Sequence, residues 1–321
     1  MTLSSRAGGL SASDWLAELE PLVGTLLERH LAWSQEWFPH QYVPWSQGRD
    51  FDGPLEGDPW EAGQSSLSPS ARSALVLNLL TEDNLPGYHW ALSTRISRSG
   101  AWAEWINRWT AEEDRHSTAL RAYLHATRAV DPVALERARL AQVATGYEPG
   151  HDGLLQNLVY VTVQELATRV SHRNAGRHSG EENCERLLTR IAQDENLHMV
   201  FYRDLLAAAL TIDADAVVQA LRDCVAAFQM PGHRMPGFRR MAWDVALAGV
   251  YDLRVHHDDV LAPLLRSLDV WTVQGLGPAG EQARDGLARE LERTNARARA
   301  FEGVREQLSA KEHAIHLQPT R

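Results

Sequence analysis

Cysteine is nearly missing from this 321-residue chain: Cys184 and Cys224 are the two present. Two cysteines build no disulfide framework, and neither is placed to favour a thiolate metal site. No run of about eighteen apolar residues occurs, so no transmembrane helix is expected. The N-terminus lacks a basic stretch followed by a hydrophobic one, which argues against a secretory signal and for the cytoplasm. Positive charge is in deficit, with 32 Lys and Arg against 42 Asp and Glu. The resulting net charge of −10 argues against nucleic acid as a partner. Strand-like alternation and low-complexity runs are absent as well. What remains is a chain that is 44% hydrophobic with eleven Trp, a composition that suits one large helical domain with thick packing layers.

The rest of the chain is organised around Trp109-Thr110-Ala111-Glu112-Glu113-Asp114-Arg115-His116. Glu113 and His116 lie three apart, so on a helix they project from one face. Trp102, Trp105, Ile106 and Trp109 precede them on that face, and Leu120 and Leu124 follow. Glu113 falls within this apolar stripe, whereas Glu112 and Arg115 fall off it. A carboxylate aimed into a core needs a cation, a hydrogen bond or a metal.

Asp194-Glu195-Asn196-Leu197-His198 repeats the spacing, between Leu187, Leu188 and Ile191 on one side and Tyr202 and Leu205 on the other. A lone Glu stands about thirty positions before each copy: Glu82 before Glu113, and Glu165 before Glu195. At roughly 1.5 Å per residue, such a gap lets a helix end, turn and return antiparallel at the same level. Four helices would then aim four Glu and two His at one place. That is the ligand set described for ferritin-like di-iron and di-manganese bundles. A single Glu-x-x-His usually decorates a solvated helix. The duplication, the matching upstream Glu residues and the apolar stripes argue for a metal site here.

The expected fold is all-α: a ferritin-like four-helix di-iron bundle core with additional flanking helices. Residues 1–12 read as a loose tail, 13–308 as a single helical domain and 309–321 as a polar tail. Ser13 or Asp14 is positioned to cap the first helix. Residues 38–67, rich in Pro, Gly, Asp and Ser, read as a long loop. Pro86 either kinks the Glu82 helix or marks its end. Gly176 to Gly180 should break the Glu165 helix, and Val270 to Val273 suggests a short extended piece. The last helix is expected over 281–307.

Carboxylates and imidazoles suit iron or manganese, and four Glu balance two divalent ions. Two ferrous ions held this way supply two electrons to O2, enough to attack an unactivated C–H bond. Three reactions fit the ligands: desaturation or oxygenation of an apolar chain, radical generation for ribonucleotide reduction, and iron oxidation for storage. Storage bundles are usually shorter. Radical generation needs a Tyr near the metal, and Tyr88, Tyr160 and Tyr202 are candidates.

The surrounding residues narrow this further. Thr81-Glu82-Asp83-Asn84-Leu85-Pro86-Gly87-Tyr88, the Trp109–His116 segment, Gln164-Glu165-Leu166-Ala167-Thr168-Arg169-Val170-Ser171-His172 and Asp194–His198 resemble the four ligand segments of the soluble acyl-acyl carrier protein desaturases. The likeness is to their actinobacterial branch and runs from about Leu19 to Val304. It implies two iron ions held by Glu82, Glu113, His116, Glu165, Glu195 and His198, the six residues that spacing also selects. It implies a role near oxygen for Thr168, whose bland reading is a Thr bonded back to its own helix. It also implies an electron route through Trp37 and Asp194. For Trp37 the bland reading is packing, and for Asp194 it is orienting a ligand His. The implied activity is O2-dependent formation of a cis double bond in a saturated acyl chain on acyl carrier protein. A ferredoxin-type donor and a homodimer come with it, as does a narrow tunnel for the chain. Tyr88, Ala91 and Thr94 are candidates for the tunnel wall. Arg169, His172, Arg173, Arg177 and His178, or Arg239 with Arg240, could dock the acidic partners. A hydroxylase on the same scaffold and a non-catalytic ferritin-like metal protein are the alternatives. The loop from Gly146 to Leu154 is short for this family and is expected near either the tunnel or the carrier site, so chain length and substrate could differ.

Overall fold

A computed structural model describes residues 10–316, except 149, 151, 152, 231, 234 and 236. The main helices are α1 (Ala12–Trp33), α2 (Pro69–Glu82), α4 (Gly100–Ala126), α6 (Leu154–Ser179), α7 (Glu182–Ile212) and α12 (Pro278–His316). Others fill the gaps: α3 (Leu85–Arg95), α5 (Pro132–Thr145), α8 (Ala214–Ala227), α9 (Phe238–Leu247), α10 (Leu253–Val255) and α11 (Ala262–Ser267). Among the described residues there is no β-strand, only an isolated bridge between Phe51 and Asp58.

Local chemistry sets the helix ends. Ser68 accepts from the Ala71 amide and Pro69 takes the first position of α2, where its missing N–H costs nothing. Asp131 with Pro132 opens α5 the same way. The α1 cap is Ser11, two residues before the expected position, and Asp14 closes a reciprocal capping box with it. Pro86 does not kink a continuous helix. α2 stops at Glu82, and Pro86 sits in the first turn of α3, the position that tolerates it. Gly176 does not break α6 either. A Cβ there would lie 3.1 Å from the Leu188 Cβ and 3.2 Å from the Glu185 Cα, so the glycine lets α6 and α7 meet closely. The helix ends at Gly180, in the left-handed region at φ +68°.

The 270–273 segment is a turn and not an extended piece. Just before it, residues 256–261 widen into a π-turn, with the Ala262 amide bonding the His257 carbonyl. Pro263 follows directly and offers no amide, a local cause for the wider turn. α12 continues to His316, beyond the expected end. Residues 38–67 hold three short 3-10 turns.

α2, α4, α7 and α6 pack as a ring of neighbours, while α1 lies against α4 and α7. Two apolar clusters sit at different levels of this ring. One joins Trp105, Trp109, Leu158 and Tyr202, the other Leu75, Leu120, Leu187 and Ile191. The buried polar residues of α4, α6 and α7 fall between them, in a layer that dry packing isolates from water.

Candidate metal centre

The six residues selected by spacing meet in that layer. None is more than 5% exposed. Glu82 comes from the last turn of α2, Glu113 and His116 from α4, Glu165 from α6, and Glu195 and His198 from α7. Two four-residue groups form, Glu82–Glu113–His116–Glu195 and Glu113–Glu165–Glu195–His198. In each group the ligand atoms lie within 4.8 Å of one another, and Glu113 and Glu195 belong to both. The His116 Nδ1 is 3.5 Å from Glu113 Oε2 and 3.2 Å from Glu195 Oε1. The His198 Nδ1 is 2.9 Å from Glu113 Oε1 and 3.4 Å from Glu165 Oε2.

The donor set fits a pair of metal ions. Glu113 Oε1, Glu165 Oε2, Glu195 Oε1 and the Nδ1 atoms of His116 and His198 are buried without a hydrogen-bond partner. Buried polar atoms are rarely left so. Burial, then the charges of Glu195 and Glu113, push Glu82 and Glu165 well above the carboxylate range. Burial would raise Glu113 too, but His116 and His198 outweigh it and hold that carboxyl low. Cations placed among these carboxylates relieve the crowding.

Each histidine is held from behind by a carboxylate on the opposite helix. The His116 Nε2 lies 3.4 Å from Asp194 Oδ2. The same Asp194 oxygen accepts from Trp37 Nε1 at 2.7 Å and from Arg115 at 2.7 Å, and Arg190 bonds the other oxygen. The His198 Nε2 donates to Glu112 Oε2 at 2.9 Å. Glu112 also accepts from His30 Nε2 at 2.8 Å and from Arg108 Nε at 2.6 Å. Hydrogen bonds from His198 and His30 keep Glu112 ionised against a burial that would otherwise raise it. With Nε2 protonated on both rings, both Nδ1 lone pairs face the centre.

Glu112 and His30 are the residues that sequence reasoning missed. Glu112 lies off the apolar stripe of α4, yet it is buried because α1 and α7 cover that side. A signal was available: an acidic residue directly precedes the motif Glu in both copies, as Glu112 and Asp194. Replacing Glu112 with Gln should lower iron affinity about 10–100-fold, the usual effect of losing a ligand's outer partner. Iron titration against a competing chelator checks this, and unchanged affinity would remove Glu112 from the site.

Thr168 Oγ1 lies 2.9 Å from Glu195 Oε2 and 3.1 Å from the Glu165 carbonyl, so it reaches the centre as well as its own helix. The Trp109 Nε1 donates to Glu165 Oε1 at 3.1 Å. His172 is not a surface residue as expected: it is buried, 2.8 Å from Glu82 Oε1. Burial lowers its pKa to about 4. Trp37 does more than pack, since its indole bonds Asp194. Tyr88 donates to the Thr81 carbonyl, and Tyr202 accepts from Trp105. Tyr88 and Ala91 line a cavity that reaches Trp109 and Gln164. Thr94 is exposed and does not line it.

Residues 11–317 match the family described as fatty acid desaturase. DesA1 of Mycobacterium tuberculosis, named as an acyl-[acyl-carrier-protein] desaturase, is 45% identical over 281 residues, covering 85% of this chain and 83% of DesA1. The chain belongs to the acyl-acyl carrier protein desaturase family. Its branch is the actinobacterial one. The X-ray structure of DesA2 from the same organism superposes with a TM-score of 0.68 at 30% identity, over 84% of this chain and 98% of that one. The ferritin-like helical fold is thereby shown. A plant member, stearoyl-[acyl-carrier-protein] 9-desaturase 6 of Arabidopsis thaliana, is 33% identical over 73% of this chain and 65% of its own length. As a desaturase, the protein is an oxidoreductase.

Proposed function

We propose that this desaturase removes two hydrogens from a saturated acyl chain carried as a thioester on acyl carrier protein. The product has a cis double bond and enters fatty acid or related lipid biosynthesis. The observation that carries this reading is the pair of four-residue groups sharing Glu113 and Glu195, with five inward-facing atoms unpartnered, in a chain of this family. Glu82, Glu113, His116, Glu165, Glu195 and His198 would hold two iron ions, which supply the oxidising power to break C–H bonds with O2. The balance is simple: two hydrogens from the chain, two electrons and two protons leave with O2 as two waters.

The protein's own residues position and insulate. Asp194 and Glu112 fix the two imidazoles, and Trp109 and Thr168 each hold one oxygen of a carboxylate. The apolar clusters on either side keep bulk water from the oxidant. The cavity beside Trp109, about 140 Å³ and walled by Ala91, Leu92, Ile96, Leu154 and Val161, is suited to a methylene chain. Thr168 would deliver a proton at Glu195 Oε2 and Asp194 would link His116 to Trp37, roles that their hydrogen bonds support.

Electrons would come from an acidic ferredoxin-type protein. A surface cleft of about 480 Å³ is lined by Arg169, Arg173, Arg190, Trp33 and Gln35. Arg190 reaches Asp194, so this cleft leads to His116. Reversing Arg169 and Arg173 to Glu should raise the KM for the donor at least about fivefold at low salt, a gap that narrows as salt is added. An unchanged KM for both the donor and the acyl carrier protein would dismiss this face. The resemblance further implies a homodimer, which a sedimentation mass tests.

The decisive experiment is product mass. Iron-loaded protein, an electron donor, O2 and a series of saturated acyl carrier proteins should yield chains lighter by two hydrogens. Gain of an oxygen atom would make the enzyme a hydroxylase and overturn the desaturation reading.

A further inference from the structure

Two cavities share a wall. The inner one runs along Ala91, Leu92 and Ile96 to Trp109 and Gln164, beside the candidate ligands. The outer one, about 260 Å³, is bounded by Asn84, Gln142, Gly232 and Met235. Tyr147 and Tyr160 line both. The Tyr160 hydroxyl donates to the Gln229 carbonyl at 3.2 Å. Tyr88 meets the Tyr147 ring edge-on, with centroids 4.7 Å apart.

The position of Tyr147 is imposed by its backbone. Gly146 turns at φ +73°, and its carbonyl accepts from Asn84 Nδ2 at 3.1 Å. Gly87 leaves room for the approach: a Cβ there would sit 2.6 Å from the Tyr147 Cβ. The turn at Gly146 thus presses one aromatic ring onto the start of α3, where the inner cavity would otherwise continue outward.

We propose that Tyr147, backed by Tyr160, closes the acyl cavity and sets the longest chain the protein takes. This deepens the desaturase reading and rests on it for the identity of the ligand. The ring is the barrier, and its packing against Tyr88 and Gly87 holds it in place. Removing the ring joins the two cavities, and each further methylene buried there adds roughly fourfold in affinity.

The test compares the parent with Tyr147→Ala, Tyr147→Leu and Tyr147→Phe on saturated acyl carrier proteins of graded even length. Affinity is read by calorimetry and turnover by product mass. Helical content by circular dichroism certifies each variant, the Leu variant serving if the Ala variant does not fold. The parent should show a cut-off length. Tyr147→Ala should bind chains two carbons beyond that length roughly fifteenfold more tightly than the parent does. Tyr147→Phe should keep the parent cut-off. An unchanged cut-off in the folded Ala or Leu variant, or an equal shift in the Phe variant, would overturn the proposal. Because binding is read without turnover, a parent that binds but forms no product fails the desaturase reading alone. A parent that shows no length limit in binding fails the closure.

Discussion

Glu113→Ala should cost this protein both its iron and its turnover. Glu113 is one of two carboxylates common to both four-residue groups, so its loss removes a ligand from each candidate metal position at once. Losing an outer partner of a ligand already costs roughly 10–100-fold, and loss of a shared ligand should exceed about 10³-fold in turnover. Stability supplies an independent readout. Anything that binds only the folded state raises its unfolding midpoint. The parent should melt higher with iron than after chelation, and the variant should show no such difference. Retained turnover with no bound iron would defeat the metal-centre reading.

Asp194→Asn should be the most destabilising single exchange around the site. The carboxylate is 2% exposed and gathers four partners: Trp37, Arg115, Arg190 and His116. An amide presents one oxygen and no charge, which leaves the Arg190 and Arg115 guanidiniums without their counter-ion. Removing one partner of a buried ion pair costs about 3–5 kcal/mol, because the other charge stays buried. The urea midpoint should fall accordingly. Restoring the charge alone should not suffice. Asp194→Glu displaces the carboxylate by one methylene, so it should recover part of the stability while the iron absorption spectrum stays altered through His116. A midpoint equal to the parent's in Asp194→Asn would show that the guanidiniums find water instead, and that Asp194 carries little of the fold.

Helix positions, the all-α class and the six candidate ligands were legible because each rests on a local rule. Three-residue spacing puts Glu113 beside His116 on any helix, and the duplicate at Glu195 and His198 needs no tertiary information to be noticed. Pro69, Pro132 and Gly180 mark ends for reasons internal to the backbone. Errors gathered where distant segments decide. His172 reads as part of a basic run in sequence, yet α2 covers it and Glu82 takes its Nε2. Glu112 lies off its own helix's stripe, and only the arrival of α1 and α7 buries it. Asp194 could be suspected from the resemblance, but its four partners come from the loop after α1, from α4 and from α7.

Sequence alone determined the apolar stripe that each ligand-bearing helix turns inward, because the 3.6-residue repeat aligns those residues on one face. It also pointed to a candidate metal centre, since four carboxylates and two imidazoles on apolar stripes are a donor set suited to two cations. Only the tertiary structure decided what stands behind each ligand and what closes the cavity beside them. Those contacts join residues far apart in the chain, Trp37 to Asp194, His30 to Glu112 and Tyr147 to Gly87. Their geometry depends on how helices and loops pack, which no local pattern encodes.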